Sequence, residues 1–126
     1  DSHRRLRLPF RALLRELVSK VDGAQGVILL DWEGEVVQLW TMEDSERLTL
    51  RAAYIGVTFR QAQALTAAGG ATRARQVVIE YEGARFVVEE IESGYIIVFE
   101  LSVKGNLGEA MRQVASAVDA LRREIA

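Results

Sequence analysis

The sequence predicts one α/β (α+β) domain, a three-layer sandwich with helices on both faces of a five-stranded antiparallel sheet. Three observations predict this fold. The chain has 126 residues, enough for one domain with its own core and too few for two ordinary domains. Three segments carry apolar residues at helical spacing, and five short segments carry them as strands do. Turn residues separate these segments, and the resulting order of elements is α-β-β-α-β-β-β-α.

We interpret residues 1–8 as a disordered tail or the remnant of an expression tag, and residues 9–126 as a single domain. Pro9 suits the first position of a helix, where its missing N–H costs no hydrogen bond. Asp22 and Gly23 end the first helical run. The apolar residues of this run are Phe10, Leu13, Leu14, Leu17, Val18 and Val21.

The five predicted strands are short and are separated by turns that contain glycine and acidic residues. Two segments, residues 27–30 and 95–99, are apolar at every position, so both of their faces must be covered. We therefore expect these two strands in the middle of the sheet. The first two strands form a hairpin and the last three form a meander. In chain order the predicted strands are residues 26–30, 36–40, 76–81, 84–91 and 95–101.

The second helix is predicted to begin at a cap formed by Asp44 or Ser45 and to end at Gly69-Gly70. Asn106 is predicted to cap the third helix, an interpretation we prefer to an anion site formed by residues 104–108 at the same helix start. The apolar residues of the third helix fall on one face. They are Leu107, Met111, Val114, Val118, Leu121 and Ile125.

The second helix carries too few charges for the surface helix of a monomer, because only Glu46, Arg47, Arg51 and Arg60 are charged between residues 46 and 68. One apolar stripe is sufficient to seat the helix on the sheet: Leu48, Ala52, Ile55, Phe59, Ala62 and Leu65. A second stripe points well away from the first: Leu50, Tyr54, Val57, Gln61 and Ala64. The remaining stripe is small or polar: Thr49, Ala53, Gly56, Arg60 and Gln63.

The apolar side chains of the second stripe are expected to be buried by other protein surface. Exposing Leu50, Tyr54 and Val57 would forfeit about 1.5–3 kcal/mol of burial free energy for each large side chain. A second copy of the helix can cover them, and two-fold pairing is the commonest arrangement. Another part of the same chain is the alternative, although one or both of the other helices are needed on the opposite face of the sheet. We predict a homodimer formed through this helix.

The residues on which enzymes and metal sites depend are scarce. His3 is the only histidine and cysteine is absent, so neither a Ser-His-Asp triad nor a histidine or thiolate metal site can form. Glu89 and Glu90 are adjacent, but consecutive strand residues point to opposite faces, and we expect an exposed hairpin end. Trp32 is either a core-edge residue or an anchor for a partner. We predict no enzymatic activity, no catalytic residue, no metal and no cofactor.

The net charge of −2 argues against nucleic-acid binding. The apolar runs are far shorter than the ~20 residues of a membrane helix, and no targeting segment is visible. We therefore expect a cytoplasmic protein without a nucleic-acid or membrane partner. Charge is nevertheless uneven, and the basic first helix and the acidic residues 43–46 are both candidate docking sites for another protein.

Several local motifs resemble one family. Residues 21–31 read Val-Asp-Gly-Ala-Gln-Gly-Val-Ile-Leu-Leu-Asp and are followed by Glu33-Gly34 in the first hairpin. Residues 94–98 read Gly-Tyr-Ile-Ile-Val, and Asn106-Leu107-Gly108 opens the last helix. In this order and spacing, from about residue 10 to residue 125, the chain resembles the roadblock family of dynein light chains and their bacterial and archaeal relatives.

The resemblance implies that the middle helix lies on one face of the sheet and the terminal helices on the other. It also implies dimerisation through the middle helix and the strand after it, which joins two sheets into one. Carried onto this chain, the predicted dimer interface comprises Leu50, Arg51, Tyr54, Val57, Thr58, Gln61, Val77 and Ile79.

The resemblance also implies a class of partner. Prokaryotic relatives act beside small Ras-like GTPases, as in gliding-motility systems, and other members are scaffolds. We expect a homodimeric, non-enzymatic module that binds or regulates a small GTPase; the alternatives are a structural adaptor without effect on nucleotide turnover and a small-molecule sensor. Arg47, Arg51 and Arg60 are candidates for an arginine finger, and nothing in the sequence selects one of them.

Overall fold

A computed structural model of the chain describes residues 4–70 and 72–125, with side chains from residue 10 onwards. Its elements follow the predicted order, which is confirmed. They are α1 (Arg4–Lys20), β1 (Ala24–Leu30), β2 (Val36–Thr41), α2 (Ser45–Ala68), β3 (Gln76–Glu80), β4 (Arg85–Glu90), β5 (Ile96–Leu101) and α3 (Leu107–Ile125).

The first helix begins earlier than the sequence predicted. Its first residue is Arg4, and Pro9 lies inside it. Residues 4–8 are arginines and leucines, which are good helix formers, so the helical backbone extends upstream of the proline. The remaining residues of the predicted tail, 1–3, lie outside the described part of the chain.

The five strands form one antiparallel sheet in the order β2-β1-β5-β4-β3. The two strands that the sequence predicted to be apolar at every position, β1 and β5, lie inside the sheet. Ile28 of β1 has Val98 of β5 on one side and Leu39 of β2 on the other. The strands whose sequences contain polar residues between apolar ones, β2 and β3, form the two edges.

Two separate cores lie on the two faces of this sheet, so the predicted three-layer arrangement is confirmed. On one face, α1 and α3 cover residues such as Val27, Ile97 and Phe99. On the other face, α2 lies alone over residues such as Ile28 and Val98. No helix in residues 4–70 and 72–125 has both the length and the hydropathy to cross a membrane.

Side chains cap the N-termini of α2 and α3, as predicted. The Asp44 carboxylate accepts the backbone N–H groups of Glu46 and Arg47 at 2.9 and 3.4 Å. Asn106 Oδ1 accepts the N–H of Glu109 at 3.0 Å, which accounts for this helix start as an ordinary cap. One detail of α3 was predicted wrongly, because Met111 is exposed and the small Ala110 is buried against the sheet instead.

Gly94 allows two turns at one end of the sheet to approach each other. Its φ is +85°, and a Cβ atom at this position would lie 2.7 Å from the Cβ of Trp32. The ring of Trp32 meets that of Tyr95 edge to face, with centroids 5.5 Å apart. The turn after β4 is therefore fitted against the turn after β1.

We predict that Gly94→Ala lowers the free energy of unfolding by about 2 kcal/mol or more, because the substitution combines left-handed strain with an overlap at Trp32. Chemical denaturation measures the change. Gly83→Ala is the matched control, since no heavy atom lies within 4 Å of a Cβ built on Gly83 and its φ is not positive. Equal stability of the two variants would contradict the role of the Gly94 contact.

Candidate functional site

The buried face of α2 follows the predicted stripe only in its first half. Leu48, Ala52, Ile55 and Phe59 are buried against the sheet, as predicted. In the last turns the buried residue is Gln63, and Leu65, which the sequence assigned to the sheet, is 73% exposed. Ala62 is half-buried. Gly56, which the sequence placed on the stripe of small or polar residues, is buried.

Hydrogen bonds explain why a glutamine replaces an apolar side chain at this point. The Gln63 amide donates to the Ala74 carbonyl at 3.1 Å and to Glu90 Oε1 at 3.0 Å, and its oxygen accepts from Arg73 at 3.2 Å. A buried polar side chain is stable when it is bonded in this way. These bonds fix the rotation of the last turns of α2 and thereby turn Leu65 outwards.

The predicted second stripe of α2 is exposed. Tyr54 is 66% exposed, and Leu50 and Val57 are exposed to a similar degree. Gln61 and Ala64 are also exposed. The sequence left open that another part of the same chain covers this stripe. Among the described residues, no part of the chain does so.

Exposed residues with little charge continue along one side of α2, which we call the α2 flank and define by residues 51, 54, 58, 61 and 65. These positions recur at intervals of three and four, so they share one helix face. All five are exposed, and Arg51 is the only charged residue among them. Leu65 was missing from the predicted interface because its spacing also fitted the buried stripe. The residues of the flank are Arg51, Tyr54, Thr58, Gln61 and Leu65.

The edge strand β3 carries the other two predicted interface residues. Val77 and Ile79 are half-buried and belong to the core on the α2 face of the sheet. α2 itself packs chiefly over β2, β1 and β5. The α2 face of β3 therefore keeps apolar surface that its own helix does not fully cover.

The two edges of the sheet differ in their hydrogen bonding. On β2, Gln38 Oε1 accepts the N–H of Leu39 at 3.0 Å, and Arg11 donates to the Leu39 carbonyl at 3.2 Å. Side chains that bond edge groups in this way hinder the addition of another strand. Within residues 4–70 and 72–125, no side chain closes the edge of β3 like this, so β3 is the more open edge.

A buried carboxylate holds two arginines of α2. Glu100 on the central strand β5 has no exposed side-chain surface. It accepts from both terminal nitrogens of Arg47 and from Arg51, all at 3.3 Å. Because three charge-assisted hydrogen bonds converge on one buried residue, they fix the first turns of α2 over the sheet.

Arg60 joins α2 to the two turns at the end of the sheet. Its guanidinium donates to the carbonyl oxygens of Asp31 and Gly94 at 3.2 and 2.8 Å. All three arginines that the sequence nominated as arginine fingers are thus bonded inside the chain. Trp32, which follows Asp31, is 52% exposed while its ring packs on Tyr95, so one part of the ring contacts the protein and another part faces solvent.

The expectation that Glu89 lies in an exposed hairpin end is wrong, although the two neighbouring carboxylates do point to opposite faces. Glu89 is buried on the α3 face and accepts a bond from Gln76 at 2.8 Å. Glu90 faces α2 and bonds Gln63 and Arg73. Burial raises the pKa of the Glu89 carboxyl above its ordinary value of 4.5, against the smaller effects of the Gln76 bond and the Arg75 charge.

A metal centre would need a group of ligating side chains within the part of the chain that the structure describes. No group of three histidine, cysteine, aspartate or glutamate side chains there is arranged to hold a metal ion. The main surface feature is an exposed, almost uncharged helix flank beside the more open edge of the sheet.

Solved structures share this architecture. A Roadblock/LC7 domain from Streptomyces avermitilis superposes with a TM-score of 0.82 at 20% identity, covering 90% of this chain and 95% of that one. MglB of Myxococcus xanthus gives 0.82 at 16% identity, covering 94% and 95%. MglB with tetrameric arrangement gives 0.78 at 23% identity, covering 89% and 84%. No protein-family model and no curated relative matches the sequence.

The chain therefore has the fold of the Roadblock/LC7 domains. Three helices and five antiparallel strands occur in the order predicted, with α2 alone on one face of the sheet. The resemblance drawn from residues 21–34, 94–98 and 106–108 is confirmed at the level of the fold.

We predict that Glu89→Gln stabilises the protein at neutral pH and has little effect near pH 4. With a raised pKa, the folded state binds a proton at Glu89 more readily than the unfolded state, so the contribution of Glu89 to stability falls as the pH rises above about 4.5. The amide cannot ionise and avoids this loss. Urea denaturation from pH 4 to pH 7 should show the stability difference between the variant and the wild type growing with pH.

Glu100→Gln is the matched control, and its effect has the opposite sign. The amide leaves Arg47 and Arg51 without their buried carboxylate, and we expect a loss of about 1–3 kcal/mol at neutral pH, moderated by the partial exposure of both arginines. We distinguish Glu100, a buried carboxylate paired with two arginines, from Glu89, whose burial is not fully offset by its partners. A stability gain in Glu100→Gln, or a stability loss in Glu89→Gln, would contradict this distinction.

Proposed function

We propose that this chain is a homodimeric, non-enzymatic interaction module of the cytoplasm that binds or regulates a small Ras-like GTPase. The observation that carries the proposal is the α2 flank, an almost uncharged and exposed helix face beside the open edge of β3. A surface of this kind is costly in a monomer and is normally covered by a protein partner.

A second copy of the chain fits this surface better than an unrelated partner does. A two-fold axis at the edge of β3 would pair β3 with β3 and bring two α2 flanks side by side, so one arrangement satisfies both features. The predicted interface residues Leu50, Tyr54, Val57 and Thr58 are exposed in the single chain and available for this contact. The similar MglB of tetrameric arrangement is itself an assembly of copies.

The GTPase part of the proposal rests on the family resemblance and on the shared fold with MglB proteins. The structure bears on its mechanism. Arg47 and Arg51 are held by Glu100, and Arg60 is held by two backbone carbonyls. Since these candidates are occupied inside the chain, we propose that the dimer acts by repositioning the partner's own catalytic groups and not by donating an arginine.

We predict that Tyr54→Asp combined with Val57→Asp converts the dimer into a folded monomer. The two carboxylates would have to be desolvated in the interface, and about 1.5–3 kcal/mol of apolar burial is lost for each large side chain replaced. Light scattering coupled to size exclusion gives the molar mass, and circular dichroism reports the fold.

Ser116→Asp combined with Arg123→Asp is the control, because both residues are exposed on α3, on the opposite side of the sheet. This control should remain dimeric. A dimer that persists in the Tyr54/Val57 variant would exclude the α2 flank as the interface, and a wild-type monomer at high micromolar concentration would exclude the homodimer.

We predict that the wild-type dimer accelerates GTP hydrolysis by a small Ras-like GTPase of the same organism. Single-turnover hydrolysis is measured with and without the chain, and binding is followed by co-elution. Arg60→Lys should retain most of the acceleration, because Arg60 is assigned to structure and not to chemistry. Co-elution without acceleration would leave the scaffold alternative standing, and loss of acceleration in a folded Arg60→Lys dimer would contradict the repositioning mechanism.

A further inference from the structure

An open groove lies on the face of the sheet opposite to the α2 flank. α1 packs chiefly over the edge strand β2, and the groove, with a volume of about 730 Å³, lies where this helix meets the strand. We call it the α1 groove. None of its residues belongs to the α2 flank or to the predicted dimer interface. The lining residues are Arg11, Ala12, Arg15, Glu16, Ser19 and Trp40.

The α1 groove carries positive charge that the chain itself does not balance. Arg15 is exposed and makes no hydrogen bond or ion pair with another residue in 10–70 and 72–125. Glu16 is the only acidic residue of the lining, and its carboxylate is already paired with Lys20 at 3.0 Å. The guanidinium groups of Arg11 and Arg15 therefore have no carboxylate partner among the described residues.

Arg11 is held in place by the bonds that hinder strand addition at β2. One of its terminal nitrogens donates to the Leu39 carbonyl at 3.2 Å and to Gln38 Oε1 at 3.4 Å. Both acceptors are uncharged, so the charge of the guanidinium is not neutralised. A guanidinium that is already positioned binds a carboxylate at a smaller entropic cost than a freely moving one does.

Trp40 supplies an aromatic surface beside these two arginines. It packs against the core on the α1 face of the sheet, and it pairs with Val27 of the inner strand β1. The side chain is only half-buried, so part of it remains accessible in the groove. Tryptophan and arginine are among the residues most enriched at the energetic centres of protein interfaces.

The sequence continues this positive charge along α1. Residues 4, 7, 11 and 15 recur at intervals of three and four, so their positions share one face of the helix, and each is an arginine. Glu16 is the only acidic residue of α1, whereas the whole chain has a net charge of −2. Positive charge is therefore concentrated on this helix, and a partner of negative charge complements it.

The surroundings of the α1 groove favour a protein segment over a lipid surface. A basic helix that lies on a membrane buries its apolar face at the lipid boundary. The apolar face of α1 is not available for this, because residues such as Phe10, Leu14 and Leu17 are buried in the core. Arg11 and Arg15 are about 6 Å apart along the helix axis, and alternate side chains of an extended peptide are separated by about 7 Å. Two carboxylates of one extended segment thus match the two arginines.

We propose that the α1 groove is a second protein-binding surface, which receives an acidic segment of another protein. Two carboxylates of the segment bind Arg11 and Arg15, and an apolar side chain of the segment packs on Trp40. Recognition is by side chains, because strand pairing at β2 is hindered. Since the groove and the α2 flank lie on opposite faces of the sheet, one chain can bind this segment and a partner at α2 together. The inference does not depend on the proposed homodimer.

The presence of only two tryptophans allows a direct test in the full chain. Trp32→Phe leaves Trp40 as the only tryptophan, and the probe is a short peptide of glutamate and leucine. We expect this peptide to change the fluorescence emission of Trp40 in a saturable manner, with weaker binding at high salt. A peptide in which glutamine replaces every glutamate should have no such effect.

Charge reversal in the Trp32→Phe background gives the specificity of binding. Arg15→Glu removes a carboxylate partner and adds a like charge, so we expect the dissociation constant of the glutamate peptide to rise by about tenfold or more. Arg123→Glu is the matched control, because Arg123 is an exposed arginine of α3 that also makes no bond to a described residue. It changes the net charge equally and should raise the dissociation constant less than about threefold.

Four results would overturn the proposal. They are no binding of the glutamate peptide, equal binding of the glutamine peptide, equal weakening by Arg15→Glu and Arg123→Glu, and saturable binding in fluorescence anisotropy that leaves the Trp40 emission unchanged. Sedimentation with phosphatidylserine vesicles examines the lipid alternative. Vesicle binding that is lost in Arg15→Glu, without binding of the peptide, would replace the protein segment by a lipid surface. All of these results leave the proposed homodimer untouched.

Discussion

The width of the sheet is the constraint on which the rest of this structure depends. Five strands spaced about 4.8 Å apart span roughly 19 Å, and a helix with its side chains covers about 10 Å. The face opposite α2 is covered by two helices, α1 and α3. The other face has only α2, which lies chiefly over β2, β1 and β5. One helix cannot cover both halves of this face, so β3 and the adjoining side of α2 are left with apolar surface.

Polar contacts along α2 fix its position on the sheet. Glu100 holds the first turns through Arg47 and Arg51, Arg60 ties the middle to the turns after β1 and β4, and Gln63 bonds the last turns to Glu90. These contacts lie along the length of the helix. Because they prevent α2 from rotating or sliding towards β3, the α2 flank stays exposed.

Much of this arrangement could be predicted from the sequence, because it follows from local periodicity. The order of elements, the central β1 and β5, the caps at Asp44 and Asn106 and the exposure of Tyr54 all follow from spacing and from turn chemistry. The errors have a different origin. Leu65 fitted the buried stripe at ideal helical spacing, and only the tertiary bonds of Gln63 decide which residue of that turn faces the sheet.

Glu89 shows that the burial of a charged residue, too, cannot be predicted from local periodicity alone. A glutamate next to a turn is normally exposed, and nothing in its local sequence indicates that Gln76 and α3 enclose it. The burial of Glu89 depends on tertiary packing, so it could not be predicted from the local sequence.

The two edges of the sheet connect the fold with the proposed function. An edge that is to join another sheet must keep its backbone groups free. No side chain in residues 10–70 and 72–125 is seen to bond the outer edge of β3, whereas Gln38 and Arg11 bond groups on β2. Side chains therefore bond backbone groups on one edge of the sheet, and among the described residues they leave the other edge open to a further strand. A fixed α2, the open edge at β3 and the exposed α2 flank together favour the proposed homodimer, whose outer surfaces would be available to a third protein.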